Sequence, residues 1–377
     1  IPVRGEEKLK QFELGHKWKQ DKKTGKWEKG KLKDKEAPQI LFIERCLQLL
    51  KNGGKMAIVL PEGTFGNPSD RYIWDYLLKN TMIEAIISTP AETFQPNTHF
   101  KTSILVLRKG KPITDYKIFM SIANTCGHNK NGKEIYKFDD KGWIITDKKG
   151  NKIIDNEISL IADEYKKYLK SKIGYNSHLG FIMKFSEIKN FIFIPDYYDP
   201  ELQQEICDLQ KENFKVLSIQ NLIDGKIIKI KRGNEVGSEY YGKGDTPFIR
   251  TSDIVNWELK IDPVKSVPEI IYEQYKDKQD VREDDILFVK DGTFLIGRTA
   301  IIAKGEEKII IQSHLLKIRV VDNSEINPYY LLYLLNLPIV QKQIRKYTFI
   351  QGTLSTIGDR FNELKLPIYK DKSKIKE

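Results

Sequence analysis

Hydrophobic residues first fall into step at Pro38. Ile40, Ile43, Leu47 and Leu50 recur at spacings of three and four, and Asn52-Gly53-Gly54 ends the run, which predicts a helix. The apolar stretch Lys55-Met56-Ala57-Ile58-Val59-Leu60, closed by Pro61, predicts a buried strand. Ser69 is placed to cap a second helix through Trp74, Leu77 and Leu78. Two more strands, Ile83–Ile87 and Ser103–Leu107, flank a loop rich in Thr and Pro. Helix, strand, helix, strand, strand is the order of the second half of a doubly wound α/β sheet. Nothing before residue 38 supplies the strand and glycine-rich turn that open such a domain, so the chain is expected to begin partway through one.

The flanking regions carry other patterns. Residues 1–36 are polar and lysine-rich, with Trp18 and Trp27 around a turn-like Asp21-Lys22-Lys23-Thr24-Gly25, and read as a mobile surface segment. Residues 111–200 are less regular, with Gly-Lys-Asn turns and a helix around Ile158 to Leu169, and the chain as a whole shows no internal repeat. Past Pro200 a short amphipathic helix leads into dense short strands, where Tyr, Ile and Val alternate with charges from 215 to 320. Asn327-Pro328 then opens a helical stretch, Tyr329 to Ile344, expected to dock to a partner. The boundaries that follow are a polar segment over 1–36, an α/β part over 37–195, a connector helix over 196–214 and a β-rich α+β domain over 215–377.

Charge sharpens this picture. Lys and Arg number 63 against 52 Asp and Glu, a net +11 that favours a polyanionic partner, although acidic residues are also plentiful. Cys46, Cys126 and Cys207 lie far apart with no paired spacing, which argues against a zinc site or a disulfide framework and suits a reducing cytoplasm. No apolar run approaches the length of a membrane span.

Four stretches follow one another in the last part of the chain: Gly244-Asp245-Thr246-Pro247-Phe248-Ile249-Arg250-Thr251-Ser252-Asp253-Ile254; Asp285-Ile286-Leu287-Phe288-Val289-Lys290-Asp291-Gly292-Thr293, running on to Ile296-Gly297-Arg298-Thr299-Ala300; Ile311-Gln312-Ser313-His314-Leu315-Leu316; and Gln351-Gly352-Thr353-Leu354-Ser355-Thr356-Ile357. This set resembles the target recognition domain of type I restriction-modification specificity subunits. The resemblance implies duplex DNA as partner and reading of a short sequence for a modification enzyme. Subunits of this class commonly carry two such domains, so one implies half of a two-part reader, or pairing with another chain.

Three stretches in the first half, Ile43–Lys55, Ile58–Phe65 and Phe100–Lys109, look like later motifs of γ-type N6-adenine DNA methyltransferases related to type I modification subunits. Gly127-His128-Asn129-Lys130-Asn131-Gly132-Lys133 is similar to a further segment of that family. The family's chemistry needs an S-adenosylmethionine site and an Asn/Asp-Pro-Pro-aromatic loop for the flipped base. Neither is present: Asn67-Pro68 is followed by Ser69-Asp70 and reads as a turn. The chain is therefore expected to be the back part of a methyltransferase fused to its reader. S-adenosylmethionine is implied for the parent and no cofactor, metal or catalytic residue for this chain alone. The missing methyltransferase half is an implied partner, with a second recognition domain or a restriction subunit as others.

Base readout needs polar side chains at groove edges and basic ones at phosphates. Arg250, Thr251 and Ser252, with Lys290, Thr293 and Arg298 around Gly292 and Gly297, and Gln312 and His314 beside Ser313, supply both kinds. Arg250 leads as the base reader, because a guanidinium can grip a guanine edge with two bonds. Each residue also has a structural reading: the glycines as turn-makers, Asp253 as a loop brace, His314 as a bonded core histidine, Arg250 and Lys290 as scaffold. In the first half, Phe100 and Lys101 stand where the family keeps target-base contacts, and Phe100 is also a plausible core residue. Two rivals remain. One is a stand-alone regulatory DNA binder. The other is a metal-dependent nuclease built on Pro195-Asp196 and Asp224-Gly225-Lys226, although the latter is also a natural turn.

Overall fold

A computed structural model describes residues 1–110, 114–171, 177–292, 294–351 and 354–371. Contacts divide the chain into two compact units, Ile1–Tyr198 and Asp199–Glu377. Among the described residues no helix is long and apolar enough to cross a membrane.

The first unit opens with an ordered segment where a mobile one was expected. β1 (His16–Gln20) and β2 (Trp27–Leu32) form a hairpin, and Val3–Arg4 pairs with Lys35–Glu36. Leu9 and Leu14 are fully buried, and Trp18 stacks on Tyr72 with ring centroids 6.5 Å apart. Glu44 of α1 (Pro38–Leu49) accepts the backbone N–H groups of Glu13 and Leu14, each at 2.9 Å. The lysines dominate the sequence pattern and point outward, so a few apolar anchors and one carboxylate fix a segment that composition alone reads as loose.

Helix α1 begins at Pro38, whose missing N–H costs nothing in a first turn, and it buries Ile40, Leu41, Ile43 and Leu47. The strands β3 (Lys55–Pro61), β4 (Thr81–Ser88), β5 (Thr102–Lys109), β6 (Lys117–Ile122) and β7 (Phe181–Lys184) form one sheet in the order β3-β5-β4-β6-β7. Only β4 and β6 run parallel in it; β5 lies antiparallel between β3 and β4, and β7 is antiparallel to β6. Helix α2 spans Arg71–Asn80 and starts after Asp70 with no side-chain cap. Ser69 does not cap it: Asn67-Pro68 forces a short 3-10 turn over Pro68–Asp70, and the serine hydroxyl donates to Asp70 instead. Helix α3 (Ile158–Lys170) covers the β6 side of the sheet, placing Ile161 against Phe119, Ala85 and Ile87.

Between β6 and α3 the chain builds an arm of three hairpins, and with it a short internal repeat that the sequence pattern did not reveal. Each tip follows Asx-x-x-Gly. Asn129 Oδ1 accepts from the N–H groups of Asn131 and Lys133, Asp139 Oδ1 from Lys141 and Trp143, and Asp147 Oδ1 from Lys149 and Asn151, all at 2.8–3.1 Å. Gly132, Gly142 and Gly150 close the tips at φ of 78°, 82° and 83°, a conformation that glycine adopts without strain. Three backbone bonds join the hairpins in a ring: Lys137 to Ile153, Ile153 to Ile145, and Ile145 to Lys137.

The second unit begins with α4 (Pro200–Lys211), capped by Asp199, whose carboxylate accepts from Glu201 N–H at 3.0 Å. Next come β8 (Phe214–Ser218), α5 (Ile219–Asp224) and β9 (Ile228–Arg232). Short strands follow: β10 (Phe248–Ile249), β11 (Ile254–Val255) and β12 (Glu258–Leu259), then helix α6 (Glu269–Gln279). The core strands are β13 (Ile286–Val289), β14 (Thr299–Ile301), β15 (Ile310–Ile311) and β16 (Leu315–Val320). The main sheet is antiparallel in the order β9-β16-β13-β14, and β10 pairs parallel with β15 beside it. Leu287, Val289, Ala300, Ile311 and Leu315 pack into one core with Ile249 and Ile254. The expected single helix over Tyr329–Ile344 is two, α7 (Pro328–Asn336) and α8 (Pro338–Tyr347), because Pro338 lacks the N–H that would continue the first. Asn327 does cap the first, accepting from Tyr330 N–H at 2.8 Å. The closing strand β17 (Lys365–Tyr369) pairs antiparallel with β8.

Replacing Glu44 by Ala leaves the buried N–H of Leu14 and the part-buried N–H of Glu13 without their acceptor, a loss of about 1–3 kcal/mol. Hydrogen exchange at the amides of Glu13 and Leu14 should quicken in Glu44→Ala while the amides of β4 keep their protection. Unchanged exchange at both amides would show that the anchor is dispensable.

Candidate nucleic-acid interface

The register of the second sheet brings the sequence-predicted residues to one end. β9, β13 and β15 finish there and β14 and β16 begin there, since Arg232 faces Leu316, Val289 faces Leu315 and Phe288 faces Thr299. Arg250 follows β10, and Gln312 donates its backbone N–H to Ile249 at 2.9 Å, so the two loops lie side by side. Lys290 donates its backbone N–H to His314 carbonyl at 3.0 Å, which joins the third loop. The turn Gln312-Ser313-His314 thus links the Arg250 loop to the Lys290 loop. Thr293 lies outside the described residues, as do Gly352 and Thr353.

The glycine at the end of β9 is required by closeness. A Cβ on Gly233 would sit 2.1 Å from the carbonyl oxygen of Gln312 and 2.4 Å from that of Ile311. Gln279, 2% exposed, completes this corner by donating to Ile311 carbonyl at 2.9 Å and accepting its N–H at 2.8 Å.

Three of the predicted polar residues turn inward. Arg250 gives Nε and Nη2 to Asp253 at 3.2 and 3.1 Å and Nη2 to Asp262 at 3.0 Å, while its own backbone N–H meets Asp253 Oδ2 at 2.9 Å. Lys290 is buried, and its ammonium pairs with Asp291. His314 Nδ1 lies 3.3 Å from the same carboxylate, and Thr356 Oγ1 donates to it at 2.5 Å. Burial alone would raise the Asp291 carboxyl, but the hydrogen bonds from Lys290 and Thr356 outweigh it and hold the group below its ordinary range. Ser252 is exposed and donates to Asp253 at 3.0 Å; Thr251 is half-buried beside it. Arg298 is exposed, and Gln312 is half-buried with no side-chain partner among the described residues.

Two further exposed aromatic residues were not singled out from the sequence: Phe294 lies at this end, and Trp257 lies along β14, its carbonyl accepting from Ile301 N–H at 2.9 Å. Phe294, between Gly292 and Gly297, is 93% exposed, and Trp257 sits at the tip of the β11–β12 hairpin, 45% exposed with φ of 70°. The glycines on either side of Phe294 were the available signal. For Trp257 it was Asn256, which adopts positive φ more readily than most residues.

In the first unit Phe100 is half-exposed, whereas Lys101 is enclosed: its ammonium meets Glu62 at 2.6 Å and Asp196 at 3.4 Å. Burial opposes the charge on Lys101, yet the two carboxylates raise its pKa above the ordinary lysine value. Ser88 Oγ donates to Asp196 at 2.6 Å, so the carboxylate assigned to a nuclease pattern is held by groups of the fold. Asp224 ends α5 and accepts from Gln220 at 2.8 Å. Among the described residues no group of His, Cys, Asp and Glu is arranged to hold a metal ion.

Comparison with known proteins bears on both units. Residues 11–196 match the family model of N-6 DNA methylases, and residues 211–373 match that of the type I restriction modification DNA specificity domain. The methylase subunit of the Escherichia coli type I restriction enzyme EcoEI is 36% identical over 73 residues, covering 19% of this chain and 15% of that one. Among solved structures, the type IIG restriction endonuclease BpuSI is similar at 13% identity and a TM-score of 0.39, over 88% of this chain and 43% of its own. The S subunit of a type I system from M. genitalium gives 15% identity and a TM-score of 0.30, over 43% of this chain and 36% of its own. At scores this low the structural likenesses carry no further argument.

Substituting Asp291 by Ala strands a buried ammonium, a loss of about 3–5 kcal/mol for the second unit. Because the folded pKa lies below the ordinary 3.8, the stabilisation is complete above that value and fades as pH falls through the lower folded value. Urea unfolding of wild type and Asp291→Ala should differ clearly at neutral pH, and the gap should narrow only as pH falls below the ordinary carboxylate range. A gap that persists unchanged in acid would mean the carboxylate acts by packing alone.

Proposed function

We propose that this chain, which belongs in its first part to the N-6 DNA methylases and in its second to the type I restriction modification DNA specificity domains, is the part of an adenine-specific DNA methyltransferase that finds the target sequence. The observation that carries the reading is the gathering of Gln312, Arg298, Thr251, Ser252 and Phe294 on neighbouring loops at one end of the main sheet and the strand pair beside it. Duplex DNA is the partner that such an end fits, with side-chain amides and hydroxyls for base edges and a guanidinium for phosphate. Arg250 and Lys290 act as braces, since their charges are engaged by Asp253, Asp262 and Asp291. Gln312 and Arg298 take the roles that sequence reading gave to those two.

The first unit supplies the later strands of a Rossmann-like methyltransferase sheet. Phe100 is its candidate for stacking on an extruded adenine, and Lys101 anchors the base of that loop. S-adenosylmethionine is the methyl donor of the whole enzyme. Its cradle does not fit the residues present: where β3 and β4 end, Glu62, Lys101, Asp196 and Ser88 bond one another, and Gly63 and Gly66 after β3 are taken up in a 3-10 turn closed by the Gly66 N–H to Gly63 carbonyl bond at 3.2 Å. No methyl-transfer step is assigned to these residues. The family's donor site and Asn-Pro-Pro-aromatic loop would complete the enzyme, with a second recognition domain or a restriction subunit as further partners.

A duplex selected from a random pool, and a scrambled version of it, test the assignment at two salt concentrations. Gln312→Ala should cost about 1–3 kcal/mol on the selected duplex and little on the scrambled one. Arg298→Ala should weaken both alike and flatten the salt slope by about one unit. Arg250→Ala should lower the unfolding midpoint of the second unit. Equal affinity of the wild-type chain for selected and scrambled duplexes would overturn the reading.

A further inference from the structure

The three-hairpin arm has no role in the reading above, yet its surface asks for one. None of residues 129–152 is buried, so the arm has no core of its own. Phe138 is 58% and Trp143 73% exposed, and Ile135, Ile144 and Ile145 are also open to solvent. Over the same span seven lysines (130, 133, 137, 141, 148, 149 and 152) face four acidic residues (134, 139, 140 and 147), a net of +3.

The acids are exposed too, but three of the four are engaged locally. Asp139 and Asp147 direct Oδ1 back onto their own tip N–H groups, and Asp147 Oδ2 accepts from the Asn151 amide at 3.0 Å. Glu134 accepts from the Tyr136 hydroxyl at 2.5 Å. Among the described residues none of the seven lysines is paired with a carboxylate; Lys152 rests over the Tyr136 ring at 5.1 Å. The Asx caps and the ring of backbone bonds fix this display before any partner arrives, which lowers the ordering cost of binding. The arm also stands beside the Phe100 loop. A Cβ on Gly132 would lie 3.5 Å from Pro96, and a cleft of about 480 Å³ opens between them, lined by Pro90, Glu92, His128 and Asn131.

We propose that the arm of residues 124–156 is a second, sequence-independent contact to duplex DNA, in which the tip lysines meet phosphates and Trp143 lies against sugar or base. The inference rests on the DNA-reading function proposed above. The partner follows from charge: unpaired lysines interleaved with exposed aromatic rings match a polyanion with stacked faces, and they outnumber the arm's own exposed carboxylates.

The test uses the full chain with three variants: Trp143→Ala, the triple Lys130→Glu/Lys141→Glu/Lys149→Glu, and Phe42→Ala as an exposed control outside the arm. Asn129, Asp139 and Asp147 are untouched, so the tips keep their caps, and circular dichroism checks the fold. The triple variant should lose affinity equally on selected and scrambled duplexes. Its log–log salt slope should fall by up to about 2.7, at roughly 0.9 per phosphate contact. Trp143→Ala should weaken both duplexes without changing the slope, and Phe42→Ala should match wild type. Unchanged affinity and slope in the triple variant, with wild-type binding intact, would overturn the arm's role and leave the reader standing. Loss confined to the selected duplex would also overturn it, because the arm would then read sequence. No DNA binding by the wild-type chain would overturn both.

Discussion

The loop-bearing end of the main sheet in the second unit depends on the register of β13 between β14 and β16. All four residues of β13 are buried, and Asp285, fully buried, lies just ahead of it. That carboxylate takes Lys317 at 2.8 Å and the Arg319 guanidinium at 2.7 Å from β16, and so pins the far end of the strand pair. The cost of stripping a buried cation of its partner is about 3–5 kcal/mol, enough to penalise a slip. A shift by one residue would also turn every side chain to the wrong face. The positions of Lys290, Arg298 and the Gln312–His314 turn at the opposite end are consequences of this register.

Cations in this chain divide into two kinds that the sequence does not distinguish. Lys101, Arg250, Lys290 and Lys317 are held by carboxylates of their own fold and serve as internal ties. Arg298 and the arm lysines stand open. A net charge of +11 therefore overstates what the ties offer a polyanion and understates how concentrated the free charge is.

Local periodicity made the first helix, the strand after it and the Asn327 cap legible, because each is decided within a few residues of chain. Order in residues 1–36 was not legible: it depends on Glu44, some thirty residues away, reaching two backbone donors. The repeat in the arm, Asx-x-x-Gly-x-x-Ile, was hidden because it runs for three short units that start at uneven intervals, Asn129, Asp139 and Asp147. At the candidate site the residue types were visible but their employment was not. Asp253 lies three residues from Arg250 and was considered as a brace, whereas Asp262 reaches the same guanidinium only through the fold. The exposed Phe294 and Trp257 look in sequence like ordinary hydrophobic positions.

The pairing of β8 with β17 sets Phe214 opposite Tyr369, so the chain enters and leaves the body of the second unit along one seam. A body whose two ends are neighbours can be exchanged between hosts, or set in tandem, with little rearrangement of the flanking chain. With the DNA-reading function proposed above, exchange of one such body changes the sequence addressed and leaves the rest of the enzyme as it was.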